Sequence, residues 1–66
     1  MLAIERQEQI VSQIRRNGAV RIHELTKQFG VSVETIRRDL LELERQDCLH
    51  RVHGGAVGIA VAKQYH

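Results

Sequence analysis

The apolar positions of this chain form three stretches of helical period followed by one that alternates. In the first, Ile10, Val11 and Ile14 fall at i, i+1 and i+4 with Ile4 a turn and a half upstream, which predicts a helix over residues 4–16. Arg6, Gln7, Glu8, Gln9, Gln13, Arg15 and Arg16 cover the rest of its surface, and Asn17-Gly18 stops it, with Gly18 in the left-handed position a helix cap requires. Ala19-Val20-Arg21-Ile22 is short and partly β-branched. It either pairs with a later strand or leads directly into the next helix. Ile22, Leu25 and Phe29 then recur at i, i+3 and i+7, predicting a two-turn helix over His23–Phe29. Phe29, the only phenylalanine, is expected to fill a central share of an otherwise aliphatic core.

Gly30 permits a turn with positive φ, Val31 is a small apolar plug, and Ser32 is a good N-cap for a third helix. Val33, Ile36, Leu40 and Leu43 follow at i, i+3, i+7 and i+10 and share an arc of about 80°, which must face the first two helices. The stretch Val33–Asp47 holds neither glycine nor proline, so the helix is expected to run its whole length, with Leu41 off the stripe. Cys48–Val52 alternates like a strand, His53-Gly54-Gly55 reads as a turn, and Ala56–Ile59 can return as a partner strand. The expected fold is mainly α (α+β), a three-helix winged helix-turn-helix with a C-terminal β-hairpin wing. The domain is expected to span residues 3–58, with 59–66 opening a linker, since Ala60–His66 lacks periodicity.

Composition narrows the possible functions. Sixty-six residues make one small domain, too short to surround the buried active site of an ordinary enzyme. At 42% hydrophobic and 27% charged the chain has globular rather than disordered composition. The single cysteine, Cys48, excludes an internal disulfide framework. Without a run of eighteen apolar residues or a signal-peptide layout, a cytoplasmic protein with no membrane partner is expected. The net charge of +2 is mild; residues 1–31 carry +2, residues 32–47 carry −2 and residues 48–66 carry +2. Most acids of the middle segment lie in its C-terminal half, so any nucleic-acid contact must use the N-terminal half of the third helix and its basic neighbours.

A helix that presents Thr35, Arg37 and Arg38 near its N-terminus suits a DNA major groove. Arginine can donate two hydrogen bonds to guanine or grip a phosphate with its planar fork. Arg38 points further from the apolar stripe and is the candidate for base contacts, with Arg37 on the backbone. The competing reading is a solvated face on which Glu34 pairs with either arginine. Ser32 and Thr35 can reach phosphate or base, and Glu34 could accept from cytosine. Arg51 and His53 on the wing, residues 48–59, are candidates for a neighbouring phosphate or the minor groove, and Arg21 and Lys27 are candidate backbone contacts. Asp39 would be repelled by phosphate and is expected to form a salt bridge with Arg51 or another wing residue. Cys48, His50 and His53 supply only three potential metal ligands, short of a structural zinc set, and no cofactor is expected. An exposed Leu41 would suit the alternative, a winged-helix module that docks a protein.

These residues resemble the DeoR family of bacterial transcription regulators. The similarity is carried by Arg6 with Ile10, Glu24-Leu25, Phe29–Ser32, Thr35–Leu40, Leu43-Glu44 and Arg51–Ala56, and covers roughly residues 3–58. Ser32–Leu40 and Arg51–Ala56 are specific together. The resemblance implies a sequence-specific regulator that binds a double-stranded DNA operator, usually a repressor of carbohydrate or nucleoside catabolism genes. It also implies a full-length parent that is homo-oligomeric and responds to a phosphorylated sugar through a C-terminal domain absent here. Arg21 departs from a small residue often found there, and Cys48 from a frequent glycine at the end of the third helix.

Overall fold

In the computed structural model, which describes residues 1–62, the elements run α1 (Ala3–Asn17), β1 (Ala19–Arg21), α2 (Ile22–Phe29), α3 (Val33–Arg45), β2 (His50–Val52), β3 (Gly55–Val57) and α4 (Ile59–Ala62). The three strands form one antiparallel sheet in the order β1-β3-β2. Three helices and a hairpin wing are thus present, and the extended segment after α1 pairs with the wing. Its register, Ala19 opposite Val57, Val20 opposite Ala56 and Arg21 opposite Gly55, makes β3 the central strand. The Ile22 N–H also donates to the Gly54 carbonyl at 2.9 Å, tying the first residue of α2 to the hairpin tip.

Local signals fix where the helices begin and end. Glu5 Oε1 accepts the Leu2 N–H at 2.9 Å at the start of α1. Gly18 closes that helix with φ 84° and donates its N–H to the Ile14 carbonyl at 2.7 Å. Gly30 closes α2 in the same way, with φ 65° and a 2.8 Å bond to Thr26. The third helix stops at Arg45, two residues earlier than its composition suggests. There Asp47 turns left-handed at φ 60°, its N–H reaching the Glu44 carbonyl at 3.0 Å while the Cys48 N–H reaches Leu43 at 2.9 Å. That pair of bonds is a Schellman closure. The left-handed residue is therefore Asp47, and Cys48 takes the following position, where its side chain packs at the margin of the core.

The core is aliphatic: Ile10 and Ile14 of α1, Val20 of β1, Leu25 of α2, Ile36, Leu40 and Leu43 of α3, then Leu49 and Ala56. Each large side chain removed from water contributes about 1.5–3 kcal/mol before entropy is counted. Phe29 does not occupy the centre. It is the last residue of α2 and only half-buried, packing against the core from its edge with Val31 and Val11. Leu49, between α3 and β2, is 1% exposed and fills the interior instead. Residues 59–62 form one helical turn rather than an irregular segment, and the remainder of the expected linker, 63–66, lies outside the described residues.

The turn glycines do different jobs. The reversal needs positive φ only at Gly54, which has φ 77° and follows His53. Gly55 is needed because β1 runs against it: a Cβ there would lie 2.1 Å from the Val20 carbonyl oxygen. Of the two glycines in the expected His53-Gly54-Gly55 turn, only Gly54 serves the reversal through its φ.

Candidate nucleic-acid interface

The tip of α3 is organised by its cap. Ser32 Oγ accepts the Thr35 N–H at 3.2 Å, and the two hydroxyls lie 3.0 Å apart. Ser32 is exposed and Thr35 half-buried, so the cap occupies part of the hydrogen-bonding capacity of both. Beyond it, Ile36 and Leu40 point inward while Glu34, Arg37 and Arg38 are exposed. Among the described residues no carboxylate pairs with either arginine, so the Glu34 ion pair of the competing reading does not form. Both guanidinium groups stand open to solvent. Leu41 is 47% exposed, off the apolar stripe as its spacing implied.

Asp39 does not reach the wing. Its carboxylate pairs with Arg6, through Nε to Oδ2 and through Nη2 to Oδ1 at 3.0 Å, and accepts from Gln7 Nε2 at 3.1 Å. Helical phase explains the choice. At 100° per residue, Asp39 lies about 60° to one side of Ile36, the side facing α1, whereas Glu44 and Arg37 lie about 80° and 100° to the other. The side chains are 11% and 3% exposed for Arg6 and Asp39, so the pair is enclosed between the two helices. The Asp39 hydrogen bond, larger than the opposing cost of burial, raises the Arg6 guanidinium above its ordinary value.

The wing is fastened by Glu44 instead. Its Oε2 accepts the Arg51 N–H at 2.8 Å, its Oε1 accepts Arg51 Nε at 2.9 Å, and His50 Nδ1 lies 3.7 Å away. The Arg51 backbone N–H, then its guanidinium, hold the Glu44 carboxyl below the usual range. Glu44 engages Nε and not the terminal nitrogens of Arg51, whose side chain is 45% exposed. His53 is exposed at the hairpin tip.

These elements enclose one groove, lined by Ile22 and His23 of α2, Arg37 and Leu40 of α3, and Arg51 to Gly55 of the wing. Three of the expected contact residues, Arg37, Arg51 and His53, are thereby brought together. Arg38 lies about 100° further round the helix, and Arg21 lines an adjoining groove with His23, Glu24 and His53. Lys27 stands exposed in the last turn of α2, with no ion pair among the described residues. The sequence reading missed His23 and Glu44. The phase of Glu44 on α3 could have found the second; His23 carries no signal until the wing is folded beside it. Among the described residues no cluster of three His, Cys, Asp or Glu side chains could hold a metal ion, and no helix is long and apolar enough to cross a membrane.

Two open arginines at the tip of a capped second helix of a helix-turn-helix, beside a hairpin carrying Arg51 and His53, define a winged helix-turn-helix DNA-binding domain. Residues 6–61 match the family described as DeoR-like helix-turn-helix domain, and the chain belongs to it. It is similar to the uncharacterised regulator YulB of Bacillus subtilis, 49% identical over 59 residues, which cover 89% of this chain and 23% of that protein. It is 46% identical over 52 residues to the L-fucose operon activator of Haemophilus influenzae, with 79% of this chain and 21% of that protein covered. The same figures, 46% over 52 residues, 79% and 21%, hold for the lactose phosphotransferase system repressor of Streptococcus mutans. The chain thus spans about a fifth to a quarter of the length of these relatives. No solved structure matches the chain at a significant level.

Proposed function

We propose that this domain reads an operator in double-stranded DNA for a repressor of carbohydrate catabolism genes. In this reading α3 enters the major groove, Arg38 contacts base edges with Thr35 and Glu34 beside it, and Ser32 and Arg37 meet the flanking backbone. Arg51 and His53 bring the wing to a neighbouring phosphate or the minor groove, and Arg21 and Lys27 add outer backbone contacts. The observation that carries the reading is the pair of exposed arginines left without a carboxylate partner among the described residues on an otherwise acid-rich helix.

The relatives' names support sugar operons as the targets, and their greater length accommodates an effector domain that binds a phosphorylated sugar and oligomerises. Fluorescence anisotropy with duplex DNA at two ionic strengths tests the binding step. Affinity is expected to fall steeply with salt, with a log–log slope of about −0.9 per phosphate neutralised. Salt-insensitive binding, or none below aggregation, overturns the proposal. Selection of duplexes from a random pool by the full-length parent would supply the operator.

A further inference from the structure

The groove between α2, α3 and the wing has a composition the DNA reading does not use in full. Its apolar lining is the buried Leu40, the half-buried Ile22 and the more exposed Val52, and its polar lining, the rim, is His23, Arg37, Arg51 and His53, with no acidic residue among the described residues that line it. The cations on that rim are not equivalent. Arg51 shares its charge with Glu44, which accepts both its N–H and its Nε. Arg37 is the one rim arginine without a carboxylate partner among the described residues. Each histidine that gains a proton therefore changes the local charge by as much as the arginine already there. The other charged groups near the imidazoles are Arg21 and Glu24, which line the adjoining groove with both of them. His50 is tied to the Glu44 side of the wing and does not line either groove.

We propose that this groove seats one backbone phosphate of the bound duplex, that His23 is a DNA-contacting residue, and that protonation of His23 and His53 sets the strength of the contact. The proposal rests on the DNA-binding reading above. A phosphodiester suits the rim: it carries one negative charge and presents acceptor oxygens, and a protonated imidazole offers a donor on each ring nitrogen. The Ile22–Gly54 hydrogen bond ties α2 to the wing and the Glu44–Arg51 bonds tie the wing to α3, so the rim is assembled before DNA arrives. Because imidazole can gain a proton within the physiological pH range, the contact strengthens as pH falls through neutrality. Binding accordingly takes up protons.

The test uses this chain and a short duplex of mixed sequence, because a phosphate contact is independent of sequence. The wild type is expected to bind roughly tenfold tighter at about pH 6 than at about pH 8, the gain that one pKa unit of differential interaction provides. In His23→Gln the salt slope at the lower pH should shrink by about one phosphate's worth, and at the higher pH by much less. His23→Gln/His53→Gln should lose most of the pH gain, whereas His50→Gln should keep it. Calorimetry in two buffers of different ionisation enthalpy should show proton uptake on binding in the wild type and in His50→Gln, and little in His23→Gln/His53→Gln. His23 is exposed, so circular dichroism should show the variant folded. A His23→Gln protein that retains the full pH gain and slope overturns the phosphate seat while leaving the DNA reading intact. A wild type that shows no salt-sensitive binding at either pH overturns both.

Discussion

Arg6 and Asp39 stand 33 residues apart in sequence and form a two-pronged ion pair that joins the first turn of α1 to the middle of α3. Asp39 lies between Arg38, which faces solvent, and Leu40, which is buried, so the pair fixes the roll of the helix about its axis. Arg6→Ala strands a carboxylate that is 3% exposed with Gln7 as its remaining partner, and is expected to cost about 3 kcal/mol. Asp39→Asn retains the shape and some hydrogen bonding and should cost about 1–2 kcal/mol. Urea denaturation of both variants checks the order. Equal losses, or losses within error of zero, would show that the pair does not brace the helix.

Gly55 and Gly54 predict different penalties for the same substitution. At Gly55 an added methyl meets the Val20 carbonyl at 2.1 Å and Arg21 Cα at 3.2 Å, all backbone, so β1 and β3 must separate. Gly55→Ala is expected to lose about 2–4 kcal/mol by thermal denaturation. Gly54→Ala meets no atom within 4 Å and pays only for its positive φ, about 1 kcal/mol.

Asp47 is a place where the chain can be improved. It holds a left-handed conformation that glycine adopts without strain, and its side chain makes no hydrogen bond or ion pair among the described residues. Asp47→Gly is expected to stabilise by about 0.5–1 kcal/mol, after the greater entropy of glycine in the unfolded chain is offset. A lower melting temperature for the variant would refute this.

Glu44 gives the wing a dependence on acid. Its folded-state carboxyl lies below the ordinary value of 4.5, through the Arg51 N–H first and the Arg51 side chain second. The associated stability is present above about pH 4.5 and is lost as pH falls through the lower, folded value. Because the side chain is 29% exposed, solvent screening keeps the effect under about 1 kcal/mol. Glu44→Gln should therefore melt below the wild type at neutral pH and converge with it in acid. Hydrogen exchange of the Arg51 amide should accelerate in the variant.

Much of the fold was legible because its signals are local. Gly18, Gly30 and Ser32 are caps whose chemistry acts within one turn, and the stripe Ile36, Leu40 and Leu43 depends only on helical period. What escaped depends on meetings between distant segments. The partner of Asp39 lies on α1, the need for glycine at position 55 comes from β1, and His23 lines the groove beside the wing, whose tip Gly54 is bonded to its neighbour Ile22. Phe29 was misplaced for a related reason: size suggested the centre, but the end of a short helix sets it at the edge.

Arg37 and Arg38 offer the sharpest division of labour to test. Both are exposed and without carboxylate partners among the described residues, yet they point about 100° apart, and only Arg37 shares the groove with Arg51, His53 and His23. Arg38→Ala is expected to cost about 1–3 kcal/mol on the selected operator and to flatten the preference among duplexes carrying single base changes. Arg37→Ala should instead weaken all duplexes alike and reduce the salt slope by about one. A panel of such duplexes, titrated with both variants at two salt concentrations, separates the roles. If Arg38→Ala lowers affinity uniformly while Arg37→Ala relaxes base preference, the groove holds the base-reading arginine and the two assignments must be exchanged.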